Sequence, residues 1–329
     1  MVNTIRFGAL GAARIAPGAL VGPANKTDRC SVVAIAARDA ERAARFAKEN
    51  AIAQSTDSYA ELIRLAEIDA VYIGLPASLH AHWSMEALRA GKHVLCEKPF
   101  TTSAEEAEEM VSLAAELGLV LCEAFHYPYH PLAQRVREIC ASGAIGKLRR
   151  LEGRFDAPIG DTDDIRYNRA LGGGATMDLG CYPIHWMRMV TGMEPEVVSA
   201  EASERPAGVD EVMTAELRFP ADISARMDCS MSKQGGLALR FDAEGSRGAL
   251  SVTNLIAPGL GYELKWHNAD GEFDEKVEAG GSTYDYQMLE FVAAVLDGKE
   301  LPTGGQDAID NMRVIDAVYR AAGLPARRV

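Results

Sequence analysis

The sequence predicts an α/β chain of two domains, a doubly wound parallel sheet followed by an α+β domain with a large, mostly antiparallel open sheet. Three observations predict it. Residues 4 to 123 alternate short apolar or β-branched runs with amphipathic segments of helical period, the pattern of a parallel sheet wound by crossover helices. Beyond His126, strand-like runs follow one another with turn residues between them and no helix-length insert, which is how antiparallel strands read. The length, 329 residues, suits two domains at ~150 residues each, and the change of texture places them at 1–125 and 126–329.

In the first domain the runs 4–10, 31–36, 70–74, 92–96 and 119–123 are apolar enough for buried parallel strands. The intervening segments 39–49, 58–65, 78–89 and 103–117 open with Asp39, Ser58, Ser78 and Ser103, and Ser103-Ala104-Glu105-Glu106 has the spacing of a capping box. In the second domain helices are expected near 132–140 and 177–189, separated by a Gly-rich stretch. Strands follow at 197–202, 212–219, 223–230, 237–241, 248–252 and 262–267. Helices at 284–296 and 307–322 close the chain, the last a candidate to pack back on the first domain.

Composition narrows the partners. A hydrophobic share of 48% excludes a disordered or fibrous chain. The net charge of −13 repels phosphate backbones and anionic headgroups, so neither nucleic acid nor a membrane surface is expected as a partner. The first twenty residues have neither a long apolar core nor a transit-peptide pattern, and no apolar run approaches the ~18 residues needed to span a bilayer, so a cytoplasmic protein is expected. Cys30, Cys96, Cys122, Cys140, Cys181 and Cys229 form no C-x-x-C pair and have no histidine at zinc spacing, so they read as reduced packing residues and no metal is expected.

The chemistry is concentrated in a few blocks. Gly11-Ala12-Ala13-Arg14-Ile15-Ala16 lies where the first strand gives way to a helix and has the spacing G-x-G-x-x-G/A with Ala13 at the second glycine. There a dinucleotide fold sets a pyrophosphate on helix N-terminal amides, and Ala13 adds a methyl where backbone and phosphate come close. The second strand ends without the carboxylate that would bond an adenosine ribose 2′-hydroxyl, and Arg38 follows at once. A guanidinium there suits a 2′-phosphate, so NADP(H) is preferred over NAD; the alternative is that Arg38 only begins a solvated helix beside Asp39 and Glu41. Glu97-Lys98-Pro99 ends a buried strand at the edge where open α/β sheets put their ligands, with a surface ion pair as the plainer reading.

These blocks, with Pro76-x-Ser78-x-His80 and the run Gly91 to Pro99, occur in the order and spacing of a known family. The chain resembles the glucose-fructose oxidoreductase, inositol dehydrogenase and rhizopine-catabolism (Gfo/Idh/MocA) family of NAD(P)-dependent oxidoreductases. The resemblance continues through the run Glu123 to Pro131, through Gly172-Gly173-Gly174 with Asp178 and Tyr182, and through the last helix, so it covers essentially the whole chain. It implies a Rossmann domain, a second domain whose open sheet buries a homodimer or homotetramer interface, and a nicotinamide meeting its substrate in the cleft between domains. It implies cofactor contacts at Gly11 to Ile15, Arg38, Leu75, Pro76, His80, Glu97 and Lys98. Lys98 is implied to hold the reacting oxygen. Many members carry a catalytic histidine where this chain has Tyr182, and His185 stands at the position of their last aspartate; tyrosine at that place resembles the branch of NADP-dependent xylose dehydrogenases, dimeric dihydrodiol dehydrogenases and glucose-fructose oxidoreductase.

A Lys–Tyr pair also makes chemical sense by itself. Hydride transfer at a carbon bearing oxygen moves a proton on or off that oxygen. A tyrosine of pKa ~10 is a weak base near neutrality, and a neighbouring ammonium favours its phenolate. Asp178, four residues before Tyr182, is placed on the same helical face, where it can orient Lys98 or bind a substrate hydroxyl. His126, Tyr127 and Arg166 are further candidates for substrate contact; His126 and Tyr127, with Tyr129 and His130, read equally as a structural hinge cluster. The expected activity is NADP-dependent hydride transfer on a carbohydrate-like small molecule, an aldose such as xylose or glucose or a trans-dihydrodiol. The alternatives are a ketoreductase acting on a nucleotide-linked keto sugar and a non-catalytic NADP sensor.

Overall fold

The structure is a computed structural model that describes residues 4–160, 163–325 and 327; Met1 to Asn3, at the head of the segment read for a targeting signal, lie outside the described residues. The chain divides into two compact units, one formed by Met1–Thr101, Glu105–His126 and Thr283–Ile309, the other by Thr102–Ala104, Tyr127–Ser282 and Asp310–Val329.

The first unit follows β1 (Ile5–Leu10), α1 (Gly22–Ala24), β2 (Cys30–Ala36), α2 (Ala40–Glu49), β3 (Gln54–Thr56), α3 (Tyr59–Arg64), β4 (Ala70–Ile73), α4 (His80–Arg89), β5 (His93–Cys96), α5 (Ala104–Leu117) and β6 (Leu121–Glu123). Its strands are all parallel, in the order β3-β2-β1-β4-β5-β6. Every residue of β4 is buried, as a strand covered on both faces requires. Asp39 and Ser58 cap α2 and α3 by accepting from the Arg42 and Glu61 amides. Ser78 does not cap α4; it lies in a tight turn, Ala77–Leu79, that Pro76 starts before α4 begins at His80.

The second unit follows α6 (Pro131–Ala141), β7 (Leu148–Asp156), α7 (Cys181–Thr191), β8 (Glu196–Glu204), β9 (Asp210–Phe219), β10 (Ile223–Ser230), β11 (Ala238–Gly245), β12 (Ala249–Thr253), β13 (Leu264–Asn268) and β14 (Gly271–Glu275). These eight strands order as β14-β13-β12-β11-β7-β10-β9-β8, antiparallel throughout except for β10 against β7. The helix expected from residue 177 begins instead as a loosely wound π-type turn, Thr176–Gly180, that passes into α7. Gly153 of β7 lets α7 lie directly on the sheet, since a Cβ there would come 2.6 Å from the Pro183 Cβ and 3.1 Å from the Met187 Cε. Trp186 completes the contact with its ring centroid 4.9 Å from that of Phe241.

The chain then returns. Helix α8 (Thr283–Asp297) enters the first unit's core, where Phe291 lies 5.6 Å from Phe7 between ring centroids and Met288 and Val292 join Ile5, Ala19 and Leu20. The closing helix α9 (Gln306–Ala321) starts in the first unit and runs, from Asp310 on, in the second. The segment that returns to the first unit is thus Thr283–Ile309, which comprises α8 and the start of α9.

Because α7 rests on a bare backbone at Gly153, Gly153→Val should lift it off the sheet and cost about 1–3 kcal/mol by overpacking. Urea unfolding should show a lower midpoint at unchanged slope; an unchanged midpoint would mean that α7 does not depend on this contact.

Candidate active site

In the first unit the strand order reverses between β1 and β4, the switch point at which open α/β sheets bind ligands. The Gly11 amide donates to the Ala36 carbonyl at the end of β2 (2.8 Å) and the Gly74 amide to the Leu10 carbonyl (2.9 Å), so the end of β1 is locked beside β2 on one side and β4 on the other. Gly11 has φ +97°, and a Cβ on it would lie 2.5 Å from the Gly74 carbonyl oxygen, so only glycine fits. Arg14 and Ile15 are exposed, and the helical turn Pro17–Val21 begins with no side chain capping its amides. Ala12 and Ala13 pack against the core cluster, which takes the extra methyl of Ala13 at least partly away from the open side of the turn.

Arg38 is exposed at the end of β2. Arg42, not singled out in the sequence, reaches back from α2 to donate to the Ala12 carbonyl (2.8 Å). The glycine turn that leaves β1 at φ +97° and the two guanidiniums beside it fit a dinucleotide with a phosphorylated ribose.

At the ends of β4, β5 and β6 lies a second group. The Lys98–Pro99 peptide is cis, and Lys98 is half-buried. Buried His80 ties this turn to the next one, its Nδ1 2.9 Å from the Pro99 carbonyl and its Nε2 2.8 Å from that of Leu75. Burial lowers the His80 pKa, outweighing the two carbonyls that favour the cation, and the Lys98 ammonium acts in the same direction as burial. Glu97 accepts from the Tyr72 hydroxyl (2.8 Å), and burial with this carboxylate holds the Tyr72 phenol well above its ordinary pKa. Glu123 accepts from the Phe100 amide (2.9 Å), fixing the far side of the Lys98–Pro99 turn. His126 pairs with the Thr283 hydroxyl (2.7 Å) and lies against Tyr284 at 4.0 Å between ring centroids. Tyr72, Thr283 and Tyr284 escaped the sequence reading, the last two because α8 is distant in sequence from the strands it joins.

In the second unit Gly172 (φ +80°) and Gly174 (φ +146°) lead into the turn Thr176–Gly180. Asp178 lies in that turn, outside the regular helix assumed for its spacing to Tyr182, and its Oδ2 accepts from Arg166 Nε at 2.6 Å. Arg166 also donates to Asp164 (3.0 Å), and these carboxylates hold its pKa above the ordinary value. Tyr182, in the first turn of α7, is buried, with the Phe155 and Tyr127 rings 5.5 and 6.1 Å away between centroids. The Tyr127 hydroxyl is 2.7 Å from Nδ1 of His185, which gives His185 a place that the sequence did not supply. The four-residue aromatic cluster is divided: His126 belongs to the first unit, and His130 caps α6 by accepting from the Leu132 amide (3.1 Å). Tyr167 is held by Glu211 and two backbone carbonyls.

A glycine turn at the switch point of a doubly wound sheet, with a lysine at the end of a neighbouring strand, defines a dinucleotide-dependent oxidoreductase. Residues 5–125 match the model of the oxidoreductase family with NAD-binding Rossmann fold, and residues 133–251 match the GFO/IDH/MocA C-terminal domain. The chain belongs to the Gfo/Idh/MocA family and is an NAD(P)-dependent oxidoreductase. It is 33% identical to D-xylose 1-dehydrogenase (NADP(+)) 2 of Haloferax volcanii, over 96% of this chain and 97% of that one. It is 33% identical to dTDP-3,4-didehydro-2,6-dideoxy-alpha-D-glucose 3-reductase of Actinomadura kijaniata, over 97% and 96% of the two chains. A crystal structure of a 3-ketoreductase from the same organism with NADP and TDP-benzene superposes with a TM-score of 0.90 at 32% identity, covering 97% of this chain and 98% of that one.

The folded protein holds His80 below its ordinary pKa, so the stability from neutral His80 is complete above about pH 6.5 and is lost as pH falls through the lowered value. Thermal melts between pH 7.5 and 5 should show Tm falling, and the fall should be shallower in His80→Gln; identical slopes would remove His80 as its source.

Proposed function

We propose that this chain is an NADP-dependent dehydrogenase acting on a hydroxyl of a neutral, carbohydrate-like substrate, an aldose such as xylose or glucose or a trans-dihydrodiol. The observation that carries the reading is the surroundings of Tyr182, a buried phenol on the helix that continues from the Asp178–Arg166 ion pair, among Tyr127 and Phe155. Aromatic faces and a paired carboxylate suit a hydroxylated ligand without charge. The xylose dehydrogenase relative supports the same substrate class.

In this reading the turn from Gly11 to Ile15 holds the pyrophosphate, Arg38 and Arg42 take the 2′-phosphate, and Leu75, Pro76, His80 and Glu97 shape the nicotinamide end. Bound NADP(H) supplies the hydride acceptor or donor. Lys98 donates a hydrogen bond to the substrate oxygen and stabilises negative charge there. As the substrate carbon gives up its hydride and the O–H bond breaks to form C=O, Tyr182 as the phenolate takes the proton; in the reverse direction the phenol returns it. Arg166 keeps Asp178 ionised and turned to a substrate hydroxyl.

A ketoreductase acting on a nucleotide-linked keto sugar is the second reading, favoured by the relative from A. kijaniata. Against it, Arg166 is already engaged by two carboxylates, Asp164 and Asp178, which repel a diphosphate. We also propose that two copies pair through the open sheet face, where a depression of about 660 Å³ is lined by both basic (Arg150, Arg240, Lys265) and acidic (Glu152, Asp242, Asp274) side chains. The six buried free thiols fit a reducing, cytoplasmic setting.

The test is NADPH formation from NADP+ with a panel of aldoses and trans-dihydrodiols, run beside NADPH consumption with a dTDP-linked keto sugar. An aldose or dihydrodiol hit supports the proposal, and turnover of the nucleotide sugar alone replaces it with the second reading. Tyr182→Phe should lower kcat about 10²–10⁴-fold with NADPH affinity retained; unimpaired turnover removes the proton-transfer role. Arg38→Ala combined with Arg42→Ala should weaken NADPH binding more than NADH binding, and an equal loss of both would refute the 2′-phosphate assignment.

A further inference from the structure

Asp210, the first residue of β9, has a fully buried side chain at the centre of a network that the reaction above leaves unused. Its Oδ2 accepts from both the amide and the hydroxyl of Thr176, each at 2.7 Å. Its Oδ1 accepts from the Tyr319 hydroxyl of α9 (2.9 Å) and from Arg327 Nη2 (2.6 Å). The Arg327 guanidinium is 1% exposed, lies 4.2 Å from the Tyr319 ring centroid, and donates through Nη1 to the Gly173 carbonyl (2.8 Å). Gly174 passes between these groups with φ +146°, and a Cβ on it would overlap the Asp210 carboxylate.

The backbone held in this way is Gly173 to Thr176, the segment that starts the turn bearing Asp178 and leads into the first turn of α7 with Tyr182. Consecutive glycines are the least able to hold a conformation by themselves. Here one guanidinium and one carboxylate grip both ends of the segment, the carbonyl of Gly173 and the amide of Thr176. A buried pair with several hydrogen bonds resists displacement because separating either member leaves an uncompensated buried charge.

We propose that Arg327, through Asp210, is a positioning residue that fixes Asp178 and Tyr182 in their working geometry. This rests on the reading of Tyr182 as the proton-exchanging group. Arg327 touches neither substrate nor cofactor in this scheme; it acts on catalysis by clamping the glycine segment.

The experiment compares wild type with Arg327→Ala, Arg327→Lys and Tyr319→Phe by steady-state kinetics, NADPH fluorescence titration and hydrogen exchange resolved to peptides spanning 173–182. Misplacing catalytic groups by about 1 Å costs on the order of a hundredfold, so Arg327→Ala should lose ten- to a hundredfold in kcat. NADPH affinity should stay within about twofold, since the cofactor contacts proposed above lie in the other unit. Exchange in 173–182 should rise while β10 and β11 stay protected. Arg327→Lys, which keeps the charge, should recover part of kcat, and Tyr319→Phe should show a smaller loss in the same direction. A folded Arg327→Ala protein with wild-type kcat, or with unchanged exchange in 173–182, overturns the proposal. If Arg327→Ala does not fold, the Lys and Phe variants decide by the same two readouts. If Tyr182→Phe keeps wild-type turnover, or the wild type turns over neither the panel nor the nucleotide-linked keto sugar, the reading of Tyr182 fails, while the exchange data still decide whether the clamp exists.

Discussion

The ends of β1 and β4 lie so close that no side chain fits between them, and much of the first unit follows from that approach. With the Gly11 Cβ position only 2.5 Å from the Gly74 carbonyl oxygen, the chain must leave β1 through a positive φ. That exit falls where the strand order reverses, the edge at which open α/β sheets take their ligands. The residues around the turn serve the same geometry. Ala12 and Ala13 pack inward, Arg14 and Ile15 stand outward, and Arg42 closes the gap from α2 by bonding the Ala12 carbonyl. The adjacent strand ends are tied across rather than along the chain, through Tyr72 to Glu97, His80 between the Leu75 and Pro99 carbonyls, and Glu123 to the Phe100 amide. Lys98 is thereby presented from a turn with little freedom of its own.

The second unit reaches rigidity by a different route. Its sheet is mostly antiparallel and carries α7 on one face, so the helix is positioned by packing on Gly153 and Phe241 rather than by a strand end. Ahead of α7 the buried side chains of Ala175, Met177 and Leu179 pack, but Gly172 to Gly174 offer none. Buried charge adds to apolar contact there. Such a device costs desolvation, and it is selective, because a carboxylate that needs four donors accepts few alternative arrangements of the loop around it.

The legibility of these features in the sequence followed their physical origin. Period and capping are local, so β1, β2, β4 and the helices capped by Asp39 and Ser58 were readable to within a residue or two. Motif spacing singled out Gly11, Glu97, Lys98 and Tyr182 as candidates. The strands that were missed are β3, β7 and β14, which are short, edge-lying or rich in charge: Leu148–Asp156 carries Arg150, Glu152 and Arg154 on its exposed to half-buried face and ends on the buried Asp156. The helix period could not reveal the π-type turn at Thr176–Gly180, whose cause is the glycine segment before it and the Asp210 carboxylate held on Thr176. Partners distant in sequence were invisible: Thr283 for His126, His185 for Tyr127, Arg327 for Asp210.

Charge balance around Tyr182 ties the site to the kind of ligand it can take. Arg166 is half-buried and shared between Asp164 and Asp178, so two carboxylates already face this one guanidinium. An anionic ligand entering there must pull Arg166 from both partners and leave two carboxylates facing it, an arrangement opposed by Coulomb repulsion in a partly desolvated environment. A hydroxylated neutral ligand asks for no such exchange. In the proposed function it would donate to Asp178, whose carboxylate Arg166 already holds, beside the aromatic rings around Tyr182. Under the proposed function the ion pair both anchors the turn and favours a neutral ligand over an anionic one.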